Sequence, residues 1–446
     1  MTPEKSEPQH LQRILNFRDL YLLISGAVIG SGIFLIPSTV LQQSGAFLGL
    51  ALMVWLAGGI LSLLGALTYG ELSARNPLAG GLYIYIRDAF GRVPAFLYGW
   101  SLFFVIGNGA IATLAVAFPA YLNEIVPLDE TARKLMAVLM IAVVAAVNIR
   151  GTRHSANLQN WTTATKILAI LLITIILILR GHGADTHNYW PAKFQWSLLS
   201  GLGIAMIGVL WAYEGWQFAT FNAAEVVDPQ RTYPRAFLLG LLTLILLYMV
   251  ANIGYIAALG TTRAAASESI AATSLGVTVG PWAGKIAAVA ILISIFSAAN
   301  SVLLSSSRVF YAMAQDGLFF KKLAEIHPRF QTPAFSVLAG SLWATVLAMT
   351  GTFNQLLTYV VFTGWIFYSL AAASLFVYRK RKIGADCGYR VPGYPITPLL
   401  FIVSGLALVT NTLVAQPKEA MIGVVIVCSG IPAYLFWRRR SSVEVK

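Results

Sequence analysis

The sequence predicts an all-α membrane protein of twelve transmembrane helices, ten of them forming a five-plus-five inverted repeat in which helices 1 and 6 are discontinuous. Three observations predict this. Of 446 residues, 57% are hydrophobic and only 11% charged, whereas soluble domains carry about 25% charged residues. Apolar stretches of about 20 residues recur along the whole chain, raising mean hydropathy to +0.72. The first and the sixth of these stretches, five apart, are each interrupted by glycine or polar residues.

In chain order the expected spans lie near 20–44, 46–73, 89–122, 133–149, 157–180, 197–225, 234–260, 282–314, 333–350, 354–378, 396–414 and 419–437. Residues 1–19 are an N-terminal tail, 20–380 the ten-helix core (halves about 20–180 and 197–380), 396–437 helices 11 and 12, and 438–446 a C-terminal tail. Orientation follows from lysine and arginine, which concentrate in cytoplasmic segments. With a cytoplasmic N-terminus, only Arg133, Lys134, Arg180, Lys193, Arg263, Lys285 and Lys418 fall outside, and Lys166 falls within a span. Both termini are therefore expected in the cytoplasm. The same bias accounts for the net charge of +13, because the basic residues are scattered over short loops rather than gathered into a nucleic-acid-binding face. The tetrad Arg379 to Lys382 directly follows a span, where it anchors topology or touches anionic lipid. A polar tail containing Glu4, Glu7 and Asp19 precedes the first span, so no cleavable leader is expected. Cys387, on a cytoplasmic loop, and Cys428, in the last span, do not suggest an extracellular disulfide.

The first span contains Gly26-Ala27-Val28-Ile29-Gly30-Ser31-Gly32-Ile33-Phe34. Each interior glycine weakens a helix by about 1 kcal/mol relative to alanine, and irregular backbone at membrane depth is tolerated only beside a cavity or inside protein. The N–H groups after Gly30 begin the outer half-helix and suit an anion such as a carboxylate. Free carbonyls around Val28 and Ile29 suit an ammonium. The sixth span contains Trp211-Ala212-Tyr213-Glu214-Gly215-Trp216-Gln217-Phe218; an unpaired carboxylate there costs a few kcal/mol, which a break beside a cavity relieves. Its carbonyls near Trp211 and Tyr213 also suit an ammonium. A zwitterionic amino acid presents both groups on one carbon. The plainer reading of both segments is close helix packing through small residues.

Lys166 lies well inside the fifth span, where it needs carbonyl partners or must snorkel to the cytoplasmic interface. Asn108 and Asn300 serve helix–helix hydrogen bonds or the site. Glu71, Glu225 and Arg308 sit near cytoplasmic ends, where an inner ion-pair gate or network is expected. The five histidines show no metal-ligand spacing. No phosphate loop or nucleophile elbow is visible, so neither a pump nor an enzyme is expected, and no cofactor.

On these residues the chain resembles a known family. Gly30-Ser31-Gly32-Ile33-Phe34 resembles the first-helix signature of the amino acid–polyamine–organocation (APC) superfamily. Tyr69-Gly70-Glu71-Leu72, Pro77, Ala79-Gly80-Gly81, Tyr83 and Tyr85 resemble its second-to-third-helix motif. Ala212 to Trp216 with Ala224 to Pro229, and Ser305 to Tyr311 with Gln315-Asp316-Gly317, resemble the sixth and eighth helices of its L-type amino acid transporter (LAT) branch. The resemblance is collinear over roughly residues 15 to 380. It implies the LeuT-type fold and amino acid transport, usually by obligatory one-for-one exchange. Lys166 together with the two LAT-like motifs leads to the expectation of sodium-independent exchange of neutral L-amino acids across a bacterial inner membrane, with spans three, eight and ten lining the side-chain pocket.

By position, the resemblance implies that the Ser31 and Gly32 amides hold the substrate carboxylate, that Val28 and Trp211 offer carbonyls to the ammonium, and that Trp216 belongs to an outer gate or packs in the bundle. It places Lys166 where sodium-coupled relatives bind sodium, on carbonyls near Gly26 and Ala27, with Ser294, Ser297 or Asn300 nearby. Glu214 departs from the glycine of large-neutral-substrate animal carriers; it can steer a cationic side chain, carry a coupling proton or pair within a gate. Proton-coupled symport and cationic amino acid or polyamine transport are the alternatives. Animal members bind a heavy-chain glycoprotein through an extracellular cysteine after the third span; the loop from Asn123 to Lys134 has none, so the expected partners are amino acids and membrane lipid, without nucleic acid or a heavy chain.

Overall fold

A computed structural model describes residues 13–181, 189–193, 196–384 and 388–443; Cys387 lies outside them. The chain enters its first helix through a capping box, in which the Asn16 side chain accepts from the Asp19 N–H and the Asp19 carboxylate from the Asn16 N–H. That helix, α1 (Phe17–Val28), stops where Ile29 takes ψ 89, outside the helical region. Helix α2 (Gly32–Gln43) resumes with a 44° change of direction, so the first span is broken where the glycines predict.

Beyond it come α3 (Leu48–Arg75), α4 (Leu82–Phe90) and α5 (Arg92–Ser101), then a π-turn over Leu102–Ile106 and α6 (Gly107–Leu122). The third span begins at Arg92 rather than at 89 because Gly91, at φ +93, ends α4 and starts a new helix. Helices α7 (Glu130–Ile149), α8 (Thr152–Arg180) and α9 (Trp196–Ala212) follow. The sixth span then breaks, as expected, and continues as a 3-10 segment over Trp216–Glu225. The remainder is α10 (Pro229–Ala265), α11 (Ile270–Thr278), α12 (Pro281–Gln315), α13 (Ala334–Thr350), α14 (Phe353–Arg381), α15 (Ile396–Ala415) and α16 (Pro417–Val443), with a 3-10 turn at Lys321–Ala324.

Among the described residues ten spans are long and apolar enough to cross a bilayer, and the bent α1–α2 pair makes an eleventh. Helix α13 coincides with the expected ninth span but has only 17 residues, short of the roughly 20 that the hydrocarbon core requires. Among the described residues no strand forms, and the one extended pairing is a parallel bridge from Leu15 to Val226. The two broken spans sit among α3, α6, α8, α10 and α12, while α15 and α16 pack outside against α14, α3 and α5. Leu172, Ile175 and Leu179 on α8 and Val414 on α15 are exposed apolar residues, the surface that lipid covers.

Candidate functional site

The two breaks touch each other. Gly215 has φ +125, and a Cβ there would lie 2.8 Å from the Ala27 carbonyl. A Cβ on Gly32 would come within 2.5 Å of Ala212 Cα. Only glycine permits either approach. Tyr248 of α10 ties the crossing from behind, its hydroxyl 3.1 Å from both the Val28 and the Ala212 carbonyl oxygens.

Between the breaks lies a cavity of about 20 Å³, room for about one water. The broken spans line it with Ala27, Val28, Gly30, Ser31, Gly32, Trp211, Glu214, Gly215 and Phe218; α6 adds Ala110 and Leu114, and α12 adds Ala298 and Val302. Spans three and eight thus contribute as expected, but span ten does not line the cavity and reaches the site from behind, through Tyr368 on Glu214 and the Phe353 ring against Trp211. The apolar lining from α6 and α12 had no distinguishing motif: an alanine or valine on a membrane helix looks the same whether it faces lipid, a neighbour or a ligand.

Three expected residues stand elsewhere. Ile29 directs its carbonyl to Lys166 and Ser294. Tyr213 packs its ring against Trp55 and Tyr248, with centroids 6.1 and 5.0 Å away. Trp216, expected at a gate beside the site, packs with Tyr69, Phe237 and Phe401. Gly65 of α3 leaves room for its indole, so the 3-10 segment turns this ring into the bundle, and Trp211 and Phe218 are the aromatics at the cavity.

Donors face the cavity from the first break. Ser31 Oγ is buried without a hydrogen-bond partner, and the N–H groups of Ser31 and Gly32 meet no acceptor among the described residues. The carbonyls are differently placed. The Gly30 oxygen accepts from Ser294 Oγ at 3.2 Å, and the Trp211 oxygen from the Glu214 N–H at 3.0 Å.

Lys166 is 1% exposed and does not snorkel. Its Nζ donates to the carbonyls of Gly26 at 2.6 Å and Ile29 at 2.5 Å; Ile29, rather than Ala27, is the second acceptor. Ser294 Oγ donates to the same Ile29 oxygen at 3.0 Å, joining α8 and α12 to the break. Ser297 accepts from Thr162 and donates to Gln159, while Asn300 donates to Gln159 and accepts from Asn148 and Ser155. Ser297 and Asn300 thus hold α8 and α7 against α12 without touching Lys166. Gly26 is glycine because a Cβ would collide with the Thr163 and Gln159 side chains. Asn108 bonds the Phe103 carbonyl beside the π-turn and stays outside the cavity.

Glu214 Oε1 accepts from Gln217 Nε2 and from Tyr368 OH, which lies 2.5 Å away. Further along, buried ions are paired. Glu71 takes Arg75, Arg379 and the Val391 N–H; Glu225 takes Arg308 at 2.8 Å, both almost fully buried. Arg87, on the short helix α4, bonds Asp316 at 2.8 Å. Burial opposes its charge, but Asp316's hydrogen bonds and charge outweigh that and hold the guanidinium above its ordinary pKa. Arg379 of the basic tetrad lies over the Tyr394 ring as well as on Glu71, so it faces protein. Among the described residues no three His, Cys, Asp or Glu side chains gather as a metal site.

The sequence profile of the amino acid permeases matches residues 15–432. The chain belongs to that family. Over 440 residues it is 29% identical to the serine/threonine exchanger SteT of Bacillus subtilis, covering 98% of this chain and 99% of the relative. It is 30% identical to the human cystine/glutamate transporter, over 98% of this chain and 88% of that one. With the mouse large neutral amino acids transporter small subunit 2 it shares 31% identity over 94% of this chain and 80% of that one. The permease is thus an amino acid transporter of the APC superfamily, as the motifs implied, and its long apolar helices make it a multi-pass membrane protein.

Proposed function

We propose that this permease is a sodium-independent antiporter that exchanges neutral L-amino acids by alternating access across a bacterial inner membrane, with twelve spans, an inverted repeat and cytoplasmic termini. The observation that carries the reading is the crossing of two broken spans around a small cavity, with Lys166 Nζ on the Gly26 and Ile29 carbonyls. A fixed ammonium on those carbonyls does what a bound cation would do, which makes sodium dispensable. The open donors at Ser31 and Gly32 suit the substrate carboxylate. The ammonium faces the rim formed by Val28, Trp211 and Glu214, and Phe218, Ala110, Leu114, Ala298 and Val302 bound a side chain by apolar contact. SteT, named as an exchanger, supports exchange as the mode.

Uptake of labelled serine, alanine and leucine into sodium-free proteoliposomes tests this. Uptake is expected only when unlabelled amino acid is inside. Uptake into empty vesicles that follows an imposed pH gradient would replace antiport by proton symport, the second reading, which Glu214 favours as a cavity carboxylate bonded to Tyr368. Competition by lysine or putrescine above that by neutral amino acids would instead assign Glu214 to a cationic side chain.

A further inference from the structure

The cavity has open donors at the first break, while the backbone acceptors around it already take part in bonds. The Val28 oxygen accepts from Tyr248, the Ile29 oxygen from Lys166 and Ser294, the Gly30 oxygen from Ser294 and the Trp211 oxygen from the Glu214 N–H, and each singly bonded oxygen keeps one lone pair. Glu214 differs. Both of its side-chain bonds, from Gln217 and Tyr368, end on Oε1. Oε2 has no hydrogen-bond partner among the described residues, and the residue lines the cavity. A carboxylate accepts at about four lone-pair positions, and hydrogen bonds to an ionised acceptor are roughly twice as strong as neutral ones.

We propose that Glu214 is the substrate's ammonium anchor: the α-carboxylate lies on Ser31 and Gly32 at the first break, and the α-ammonium bonds Glu214 Oε2 at the second, in preference to the carbonyls of Val28 and Trp211. This rests on the amino acid transport reading above and specifies its binding mode. A zwitterion adds no net charge to a low-dielectric interior, where an unbalanced charge is costly, and a carboxylate at Glu214 would face its ammonium end. Glu214 therefore requires no cationic side chain on the substrate. Tyr368 and Gln217, which hold Oε1, are positioning residues that aim Oε2 into the cavity.

The test compares ligand-induced thermal stabilisation of the purified full chain by alanine, serine and leucine with that by propionate, 3-hydroxypropionate and 4-methylpentanoate, which lack only the α-amino group. Wild type is expected to favour the amino acids by about 10- to 100-fold, the range of a charged hydrogen bond. In Glu214→Gln that preference should fall to about threefold or less, with binding of the deaminated acids unchanged. Glu214→Asp should retain the preference, which separates charge from shape. A Glu214→Gln protein that keeps the wild-type preference would overturn the anchor and return the ammonium to backbone carbonyls. Selective loss of lysine binding, with neutral amino acids unaffected, would overturn it in favour of a side-chain role. Should Glu214→Gln not fold, Glu214→Ala takes its place: equal weakening of amino acids and deaminated acids overturns the anchor, and weakening confined to the amino acids supports it. A wild type that no amino acid stabilises would sink the transport reading itself, an outcome distinct from all of these.

Discussion

Lys166 is the residue on which the first break depends most. Its ammonium satisfies two carbonyls that a helix would have paired internally, at Gly26 and Ile29. Lys166→Ala leaves the Gly26 oxygen without that donor and the Ile29 oxygen with Ser294 alone, at about 1–3 kcal/mol per unsatisfied buried group. We expect a lower thermal midpoint and at least a roughly tenfold loss of exchange, more than one hydrogen bond of stability, because the break geometry forms the site. Lys166→Arg should not rescue it, since a planar fork cannot take the place of a compact ammonium between those oxygens. Gly215 is similarly constrained. Gly215→Ala places a side chain at φ +125 and against Ala27, so it is expected to cost at least about 1–2 kcal/mol from backbone strain and to abolish uptake; a wild-type melting curve together with wild-type transport would refute this.

At the scale of elements, the crossing of the two broken spans is held by a third helix. Tyr248 on α10 reaches one carbonyl from each break, so Tyr248→Phe removes a single oxygen that serves both. The expected loss is about 0.5–2 kcal/mol, with a larger fractional effect on transport than on the melting temperature, read from both measurements on one preparation. The Glu225–Arg308 pair joins the 3-10 end of the sixth span to α12. Both groups are buried, so Arg308→Leu alone strands a carboxylate and should cost about 3–5 kcal/mol, while the double replacement with Glu225→Leu should recover most of the loss. A double variant as unstable as the single one would mean that the remaining bonds of Arg308, to Leu304 and Ser307, matter more than the ion pair. The broken elements were legible in advance because glycine and glutamate are conspicuous in apolar sequence. The π-turn at Leu102–Ile106 was not, since Leu102-Phe103-Phe104-Val105-Ile106 holds no glycine, proline or charge to mark it in an apolar span.

For the whole molecule, the expected alternating-access cycle needs the cavity to open, because about 20 Å³ admits no amino acid. Crosslinking the two sides of the Leu15–Val226 bridge, through Leu15→Cys and Val226→Cys, is expected to stop exchange on oxidation and restore it on reduction, if this contact between the N-terminal segment and the sixth span must part in each cycle. Exchange that persists in the fully crosslinked protein would remove that contact from the gate. The apolar helices were accessible to the same sequence logic as the breaks, because the length and spacing of apolar stretches are local quantities.

What could be read along the chain was whatever the bilayer makes expensive. Long apolar stretches, glycines inside them and a lone lysine or glutamate at depth stand out because hydrocarbon cannot solvate backbone or charge, and from these came the helices, the two breaks and most of the rim: Val28, Gly30, Ser31, Gly32, Trp211, Glu214 and Gly215. The three-dimensional packing settled how those groups are shared. It gave Ile29 to Lys166, turned Tyr213 and Trp216 into aromatic packing, drew Tyr248 and Tyr368 from distant helices to the crossing, and left one oxygen of Glu214 open. Those assignments depend on the direction in which each side chain and carbonyl points after helices far apart in sequence meet. Residue spacing carries no record of such long-range pairings.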